Sequence, residues 1–237
     1  MRRPLMLFFT GLFLTFATAA QAAPAAKLSH VVAALEEGYR SLADLQADFN
    51  QRTSIGALKR EEKGHGELFL KRGKSGSAMF RFDYVKPKQQ IVSNGKTVWY
   101  YLPENHQVMV ADAAKLFSGG NAIALSYLTG LGNLSKDFTI SFVGDGRDRK
   151  GNYQLELVPK RPTSAMNKLQ LTVAADAVAR YVETGKAAVA FPLVSSVLFD
   201  TMGNRTTIEY SRIRVNQGLS TGRFSFKVPS GVDVIKQ

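Results

Sequence analysis

The fold is decided by one stretch, GELFLKRGKSGSAMFRFDYVKPKQQIVSNGKTVWYY, which spans residues 66–101. Within it, Phe80, Phe82 and Tyr84 alternate with charged residues. This is the spacing of a strand with one apolar face and one face in water. Asn94-Gly95 separates two further strand-like runs and supplies the backbone angles of a two-residue hairpin turn. We therefore expect an antiparallel meander with an unusually aromatic apolar face.

One cation accompanies that apolar face. In the strand before Phe80, every second residue points to the same side, so that Leu68, Leu70 and Arg72 share one face. We expect the apolar members of both strands to line the concave side of the sheet: Leu68, Leu70, Phe80, Phe82 and Tyr84.

The composition favours one domain. With 237 residues, 45% of them hydrophobic, the chain is long enough to bury a core as one all-β domain or as two small ones. A single domain over residues 23–237 is the better interpretation, because no Pro/Ser-rich linker or charge run divides the chain. Cysteine is absent, which excludes disulfides, thiolate metal sites, cysteine nucleophiles and an acyl chain on an N-terminal cysteine.

Residues 1–22 are expected to be a cleaved signal peptide. Arg2 and Arg3 precede a short apolar run, and Ala20-Gln21-Ala22 offers a cleavage site. The alternative is a membrane anchor, but small residues rather than charges follow the run. Export of a chain without cysteine indicates a Gram-negative periplasm.

The exported chain is strongly basic. Without Arg2 and Arg3 it keeps 29 basic and 19 acidic residues, a net charge of +10. Nucleic acid is scarce outside the cytoplasm, so this charge points toward anionic lipid surfaces or acidic partners, and docking should weaken with salt. A solvated cationic surface without any partner explains the charge equally well.

Two helices are expected in a chain that is otherwise rich in strands. The first is amphipathic and is predicted by apolar residues at helical spacing: Leu28, Val31, Val32, Leu35, Tyr39 and Leu42. The second, residues 122–128, is short and apolar and has glycines on both sides. Both a moving lid and an ordinary helix plugging a barrel mouth fit this second pattern. Residues 178–189 fit a strand and a helix equally.

The strand-like runs continue at regular spacing to the end of the chain, where Phe224, Phe226 and Val228 alternate with polar residues. The predicted fold is mainly β, with about eleven strands in a single strongly curved antiparallel sheet, a barrel or half-barrel. Such a sheet with an aromatic concave face is suited to an apolar ligand.

No catalytic constellation is found in the sequence. The three histidines, His30, His65 and His106, are far apart and belong to no metal-ligand motif. Glu61-Glu62 is better explained as a solvated loop than as an acid/base pair. Ser135-Lys136 cannot act as a dyad on a strand, because adjacent residues point to opposite faces. The sequence predicts a non-enzymatic protein.

Six strings of the sequence carry a resemblance to a known family. They are LQADFNQRT, GELFLKR, FRFDYVKP, IVSNGKTVWYYLPENHQV, GNRTTIEYSRIRVNQGL and RFSFKVPSGVDVI. In order and spacing they resemble the periplasmic outer-membrane lipoprotein carrier proteins, the LolA-type family.

The resemblance implies an unclosed antiparallel β-barrel with an N-terminal helix and a short lid helix over its concave face. It implies a monomeric periplasmic chaperone that binds the acyl chains of lipoproteins released from the inner membrane and delivers them to the outer membrane. The implied partners are acylated lipoproteins, an inner-membrane ABC-type exporter and an outer-membrane acceptor, with no cofactor and no metal. The alternative is a non-transporting periplasmic lipid-binding or envelope-stress sensor module of the same fold.

The resemblance also implies which residues form the lid switch. The arginine that closes the lid falls on Arg72, contacts of the opening helix fall on Tyr39 and Leu42, and lid contacts fall on three residues of the second helix, Ile123, Leu125 and Leu128. We expect Arg72 to bond the free carbonyls at residues 128–131 in the empty form. The alternative is that it only extends to the barrel rim. Two departures from the family are a Gly/Ser-rich connection after Arg72 and a long segment, residues 174–190.

Overall fold

The structure, a computed structural model, describes residues 26–73, 78–116, 134–162 and 166–236. These residues contain twelve strands in one sheet, ordered β12-β6-β5-β4-β3-β2-β1-β11-β10-β9-β8-β7. In chain order, strands β1 to β12 are Asp44–Ile55, Arg60–Arg72, Ala78–Lys86, Gln89–Ser93, Thr97–Leu102, Gln107–Asp112, Phe138–Arg147, Tyr153–Pro159, Lys168–Val173, Leu193–Phe199, Arg205–Val215 and Asp233–Lys236. All neighbours are antiparallel except β12, which runs parallel to β6. Within the described ranges β7 and β12 remain unpaired edges, so the predicted unclosed sheet is confirmed.

Four α-helices occur in the described part of the chain: α1 (Leu28–Ser41), α2 (Ala113–Leu116), α3 (Leu134–Asp137) and α4 (Ala175–Thr184). The first matches the predicted amphipathic helix, and α4 makes the ambiguous segment that begins at residue 178 helical as far as Thr184. None of these helices is long and apolar enough to cross a bilayer. The predicted signal peptide and the predicted helix at residues 122–128 both lie outside the described residues.

Helix α1 and the chain around residues 189–192 approach each other at a glycine. A Cβ built on Gly38 would lie 2.6 Å from the carbonyl oxygen of Val189 and 3.2 Å from Cδ of Pro192. No side chain fits in this space, which explains why a residue that weakens helices stands in the last turn of α1. The contact holds α1 against the sheet, with Val31, Leu35 and Tyr39 buried beneath it.

A second glycine allows the aromatic strand to pack. A Cβ on Gly66 would lie 2.0 Å from the carbonyl oxygen of Asp83, where the β2–β3 pairing shifts register between His65 and Gly66. The predicted hairpin after β4 is also present, but its turn has three residues, 94–96, rather than two, and Gly95 alone among them has a positive φ, 86°. The Asn94 side chain accepts bonds from the Lys96 and Thr97 amides. The meander predicted from residues 66–101 is therefore confirmed.

The outer, convex face of the sheet is covered by a segment that we call the strap, residues 216–228. Phe224, Phe226 and Val228 were predicted to form a closing strand, and this is wrong: Thr221–Phe224 is a 3₁₀ helix and the next residues cross the sheet without pairing. Phe224 is fully buried, and Phe226 packs against Trp99 and Tyr101. Their alternation arises because the strap lies with one side on the convex face, which mimics the period of a strand.

Candidate functional site: the concave face and its closure

The concave face is one continuous apolar surface across the sheet. Its register places Leu45 of β1 opposite Leu70 of β2, which in turn faces Phe80 of β3. The same row alternation continues on the other side of β1, where Phe49 faces Tyr210. The large side chains of this face that are buried in the common core are Leu45, Phe49, Leu68, Leu70, Phe80, Phe82, Leu155, Leu157, Leu169, Leu171 and Tyr210.

Aromatic rings gather at the middle of this surface. The ring of Phe49 makes edge contacts with Phe82 at 5.6 Å and with Tyr84 at 4.8 Å between centroids. Phe80 stands edge-on to Phe82 at 6.1 Å. The Tyr84 hydroxyl donates to Oε1 of Gln51 at 2.8 Å, and burial raises the pKa of Tyr84 to about 12. The cluster is apolar, and its one hydroxyl is already hydrogen-bonded to Gln51. It therefore provides an apolar contact surface for a ligand rather than a reactive group.

A second aromatic group lies under the C-terminal half of α1. The ring of Tyr39 packs against Phe191 at 5.9 Å, and Phe191 stands edge-on to Tyr210 at 5.3 Å. The hydroxyls of Tyr210 and Ser196 share a hydrogen bond of 3.0 Å. The hydroxyl of Tyr39, by contrast, has no hydrogen-bond partner among the described residues, and burial raises the pKa of Tyr39 well above its ordinary value. A buried hydroxyl without a partner costs about 1–3 kcal/mol, which favours any state in which α1 moves away from the sheet.

Arg72 closes this arrangement from the end of β2. Its Nη2 donates to the carbonyl oxygen of Tyr39 at 2.8 Å and its Nη1 to that of Arg40 at 3.3 Å. These carbonyls belong to the last turn of α1, where helical carbonyls lack partners within the helix. The sequence analysis predicts that Arg72 bonds the carbonyls at the C-terminal end of the second helix, at residues 128–131. Those residues lie outside the described residues. In the described structure its acceptors are on α1.

The point at which α1 joins β1 is tied to the strap. The buried carboxylate of Asp44 accepts backbone N–H bonds from Gln217, Gly218 and Leu219 at 2.8, 2.9 and 3.1 Å. Asn216, in the left-handed conformation, accepts from the Ala43 amide and donates to the Ser41 carbonyl. We call this junction, residues 41–44 with 216–219, the hinge. These bonds fix the C-terminal end of α1 to the strap.

An open groove lies at the opposite end of α1. It has a volume of about 390 Å³ and its apolar wall comes from α1 and β7: Leu28, Val32, Ala33, Phe138 and Ile140. Its polar side is formed by Ser29, Glu36 and Ser135, and the Ser135 amide donates to the Glu36 carboxylate at 2.8 Å, which links α3 to α1. The groove is open to solvent, and two of its lining residues, Val32 and Phe138, belong to the buried core.

The predicted site residues fall into three groups. The structure brings Tyr39, Leu42 and Arg72 together at the C-terminal end of α1. It places five on the concave sheet face, Leu68, Leu70, Phe80, Phe82 and Tyr84, and the first four of these are buried. Ile123, Leu125 and Leu128 lie outside the described residues.

Sequence reasoning missed the hinge, the role of Phe191 and the packing of α4 beside α1. The string Asn216-Gln217-Gly218 after β11 was the available signal, since both Asn216 and Gly218 adopt positive φ and mark a tight turn. Nothing in the sequence connects that turn to Asp44, because the two are more than 170 positions apart.

Comparison with known proteins gives one consistent result. The family model described as outer membrane lipoprotein carrier protein LolA matches residues 40–187. An outer-membrane lipoprotein carrier protein of Azotobacter vinelandii is 32% identical over 197 residues, which cover 81% of this chain and 82% of that protein. A protein of the same description from Methylococcus capsulatus is 31% identical over 223 residues, covering 93% and 91%. Among solved structures, an uncharacterized conserved protein from Thermus thermophilus aligns with a TM-score of 0.50 and 12% identity over 88% of this chain and 98% of that one, a likeness of fold alone.

Proposed function

The chain belongs to the family of outer-membrane lipoprotein carrier proteins, the LolA family, and on that premise we propose that it carries acylated lipoproteins through the periplasm. It takes them from an inner-membrane exporter and delivers them to an acceptor at the outer membrane. The acyl chains occupy the concave face after α1 swings away. The observation that carries this proposal is the closed apolar layer between α1 and the sheet, held at one end by the two Arg72 hydrogen bonds.

The concave face suits acyl chains because it is apolar, rich in aromatic side chains and nearly free of polar groups that would need hydrogen-bond partners. Leu35, Leu70 and Phe80 fill the same layer that acyl chains would enter, so cargo replaces protein contacts rather than filling an empty cavity. The groove beside Leu28 and Ile140 is the entrance that requires the least movement of α1.

A carrier must also release its cargo, and this limits how well the face can bind. If about thirty methylenes were fully buried at about 0.8 kcal/mol each, the binding free energy would approach 24 kcal/mol. This exceeds the practical ceiling of about 18–21 kcal/mol for non-covalent complexes. Opening the closed form must therefore consume part of the gain. Displacing Val31, Leu35 and Tyr39 of α1 from the sheet supplies most of that cost.

Arg72 adjusts the cost rather than supplying all of it. Its side chain is exposed, so its two bonds to the end of α1 contribute about 1 kcal/mol to the closed form. This corresponds to about fivefold in the ratio of closed to open molecules. Cargo entry breaks these bonds, and their return on release favours the empty state.

The test compares release rates of a fluorescent triacylated lipopeptide. Arg72→Leu removes the closing bonds and adds apolar lining, so we expect release about five- to tenfold slower than from the unaltered protein. Arg72→Lys keeps the charge but not the two-pronged donor, so its release rate should lie between the two. The matched control is Arg52→Leu, an exposed arginine of β1 that pairs with Glu209 away from α1. Equal or faster release from Arg72→Leu contradicts the switch, and absence of lipopeptide binding by the unaltered protein contradicts the carrier function.

A further inference from the structure

Two neighbouring hairpins end in exposed apolar side chains. Leu58, at the tip between β1 and β2, is 63% exposed, and Met202, at the tip between β10 and β11, is 78% exposed. The tips touch, because the Gly56 amide donates to Oδ1 of Asn204 at 3.2 Å and a Cβ on Gly56 would lie 2.8 Å from the Gly203 carbonyl oxygen. A third exposed apolar residue, Val85 at 68%, stands at the end of β3. We call the two tips, residues 56–63 and 200–205, together with the neighbouring β3–β4 connection, residues 85–88, the hairpin end. Lys86 pairs with His65, so this connection lies five strand residues, or about 16 Å, below Arg60 at the base of the first tip.

The charge around these side chains is predominantly positive. The hairpin end contains six basic residues and three acidic ones: Lys59, Arg60, Lys63, Lys86, Lys88 and Arg205 against Glu61, Glu62 and Asp200. Both glutamates pair with basic neighbours on the same strand. The Asp200 carboxylate is engaged inside its own turn, where it accepts bonds from the Met202 and Asn204 amides. The uncompensated charge at this end is therefore cationic.

The backbone of the tips is largely satisfied without water. In the first turn, the Leu58 amide donates to the Ile55 carbonyl and the Lys59 amide to the Gly56 carbonyl. In the second, the Met202 amide donates to the Asp200 carboxylate at 2.9 Å. A turn enters the apolar boundary of a bilayer at lower cost when its amides keep partners within the protein, as those of Leu58, Lys59 and Met202 do.

From these observations we propose that the hairpin end docks on an anionic membrane surface. The side chains of Leu58 and Met202 enter the boundary between headgroups and acyl chains, and the lysines and arginines around them contact lipid phosphates. This combination of projecting apolar side chains with a cationic surround is how peripheral proteins attach reversibly to anionic bilayers.

A lipid surface fits the hairpin end better than a protein partner does. A stable protein interface needs about 800 Å² on each side, with a continuous apolar centre. Three side chains on separate turns offer far less area and no groove. A fluid bilayer requires no complementary shape, so isolated apolar tips are sufficient.

Docking and cargo release take place at opposite ends of the molecule. Arg60 and Arg72 are the first and last residues of β2, a strand of 13 residues, so about 40 Å separates the hairpin end from the Arg72 switch. The docking proposal does not rest on the proposed carrier function, and variants at the tips are expected to leave lipopeptide release unchanged.

The absence of cysteine allows each position to be labelled alone. Leu58→Cys, Met202→Cys and, as control, Val182→Cys each carry an environment-sensitive fluorophore and are mixed with vesicles of equimolar phosphatidylcholine and phosphatidylglycerol. Val182 is 50% exposed but lies on α4, which packs beside α1. We expect a blue shift at positions 58 and 202 and none at 182, with a smaller shift on pure phosphatidylcholine or in high salt. No shift at 58 and 202, or an equal shift at 182, overturns the proposal.

A second measurement uses unlabelled protein. The double variant Leu58→Asp with Met202→Asp should lose at least about tenfold in its partition onto the mixed vesicles during sedimentation, while Val182→Asp should behave like the unaltered chain. Both variants should keep the circular dichroism spectrum and the unfolding midpoint of the unaltered chain, which shows that each is folded. Undiminished sedimentation of the double variant contradicts docking through these tips.

Discussion

The two faces of the same half-sheet are covered in opposite ways. On the concave side, α1 lies over the sheet residues Leu70 and Phe80 and approaches residues 189–192 through a glycine contact. It carries a buried hydroxyl that has no partner among the described residues, and two Arg72 bonds hold its C-terminal end, one at the surface and one partly buried. On the convex side, the strap lies over Phe69 with its polar groups engaged by Asp44, and Arg81 donates to the Arg223 carbonyl at 3.2 Å.

The strap and α1 differ in the interactions that would be lost if each were removed from the sheet. Removing the strap would expose Phe224 and leave a buried carboxylate without its three donors, and the Arg223 guanidinium would lose its position 4.4 Å above the Phe69 ring. Removing α1 would expose the buried side chains of Val31, Leu35 and Tyr39 and would free the Tyr39 hydroxyl to bond with water. It would also break the two Arg72 bonds and the bond between the Ser135 amide and the Glu36 carboxylate. The strap is therefore held by buried hydrogen bonds as well as by apolar packing, whereas α1 is held mainly by the burial of its apolar side chains.

The largest expected effect on the free energy of unfolding comes from a substitution in the strap. Phe224→Ala removes a fully buried ring from the strap and should lower the free energy of unfolding by about 3–4 kcal/mol. Lipopeptide release measured at low temperature, where the variant is still folded, should not change. Denaturant unfolding gives the first quantity and stopped-flow fluorescence the second. The control is Phe226→Ala, a half-buried ring of the same strap, which should cost clearly less. Faster release from Phe224→Ala would mean that the two covers are coupled.

Gly38→Ala tests how closely α1 packs against residues 189–192. In an ordinary helix this change stabilises by about 0.5–1 kcal/mol. Here the new Cβ would meet the Val189 carbonyl oxygen at 2.6 Å, and backbone cannot move aside as a flexible side chain does. We expect a net loss of about 1–2 kcal/mol in unfolding free energy, together with greater hydrogen exchange in α1. Ala34→Gly supplies the comparison for propensity, since it lies one turn earlier on the same helix. A stabilised Gly38→Ala protein would show that α1 already lies away from residues 189–192.

The smallest expected effect is a pH dependence of the free energy of unfolding that arises from Tyr210 on the concave face. Burial raises the pKa of Tyr210 to about 12, while an unfolded chain has a tyrosine pKa of about 10. The folded state therefore favours the neutral phenol, and its contribution is complete below pH 10 and is lost as the pH rises through 12. Tyr210→Phe should remove about 1 kcal/mol of the stability loss seen at pH 11. Unfolding curves at pH 8 and pH 11 measure it, and an unchanged difference between the two would place Tyr210 in contact with water.

The sequence predicts best where one local rule acts alone. The alternation of Phe80, Phe82 and Tyr84 and the turn at Asn94-Gly95 predict the meander, because strand period and turn geometry are set by near neighbours. The spacing of Val31, Leu35 and Tyr39 likewise predicts α1 and its buried side.

Prediction fails where a local pattern has two physical origins. Phe224 and Phe226 alternate as a strand would, yet they belong to a strap, because any extended segment lying on an apolar surface buries every second residue. In the same way, Val178 and Tyr181 fit either period until α4 packs beside α1. The acceptors of Arg72 were beyond local inference, since every helix C-terminus offers the same free carbonyls.

The hinge has a consequence for the order in which this molecule comes into being. Asp44 and its donors at residues 217–219 are separated by 173 to 175 positions. At a synthesis rate of about 5–20 residues per second, that distance corresponds to roughly 10–35 s between the appearance of the two partners. During that interval α1 lacks the hinge contacts from residues 216–219. Until Leu219 has been synthesised, the strap contacts that fix the C-terminal end of α1 in the folded protein are missing.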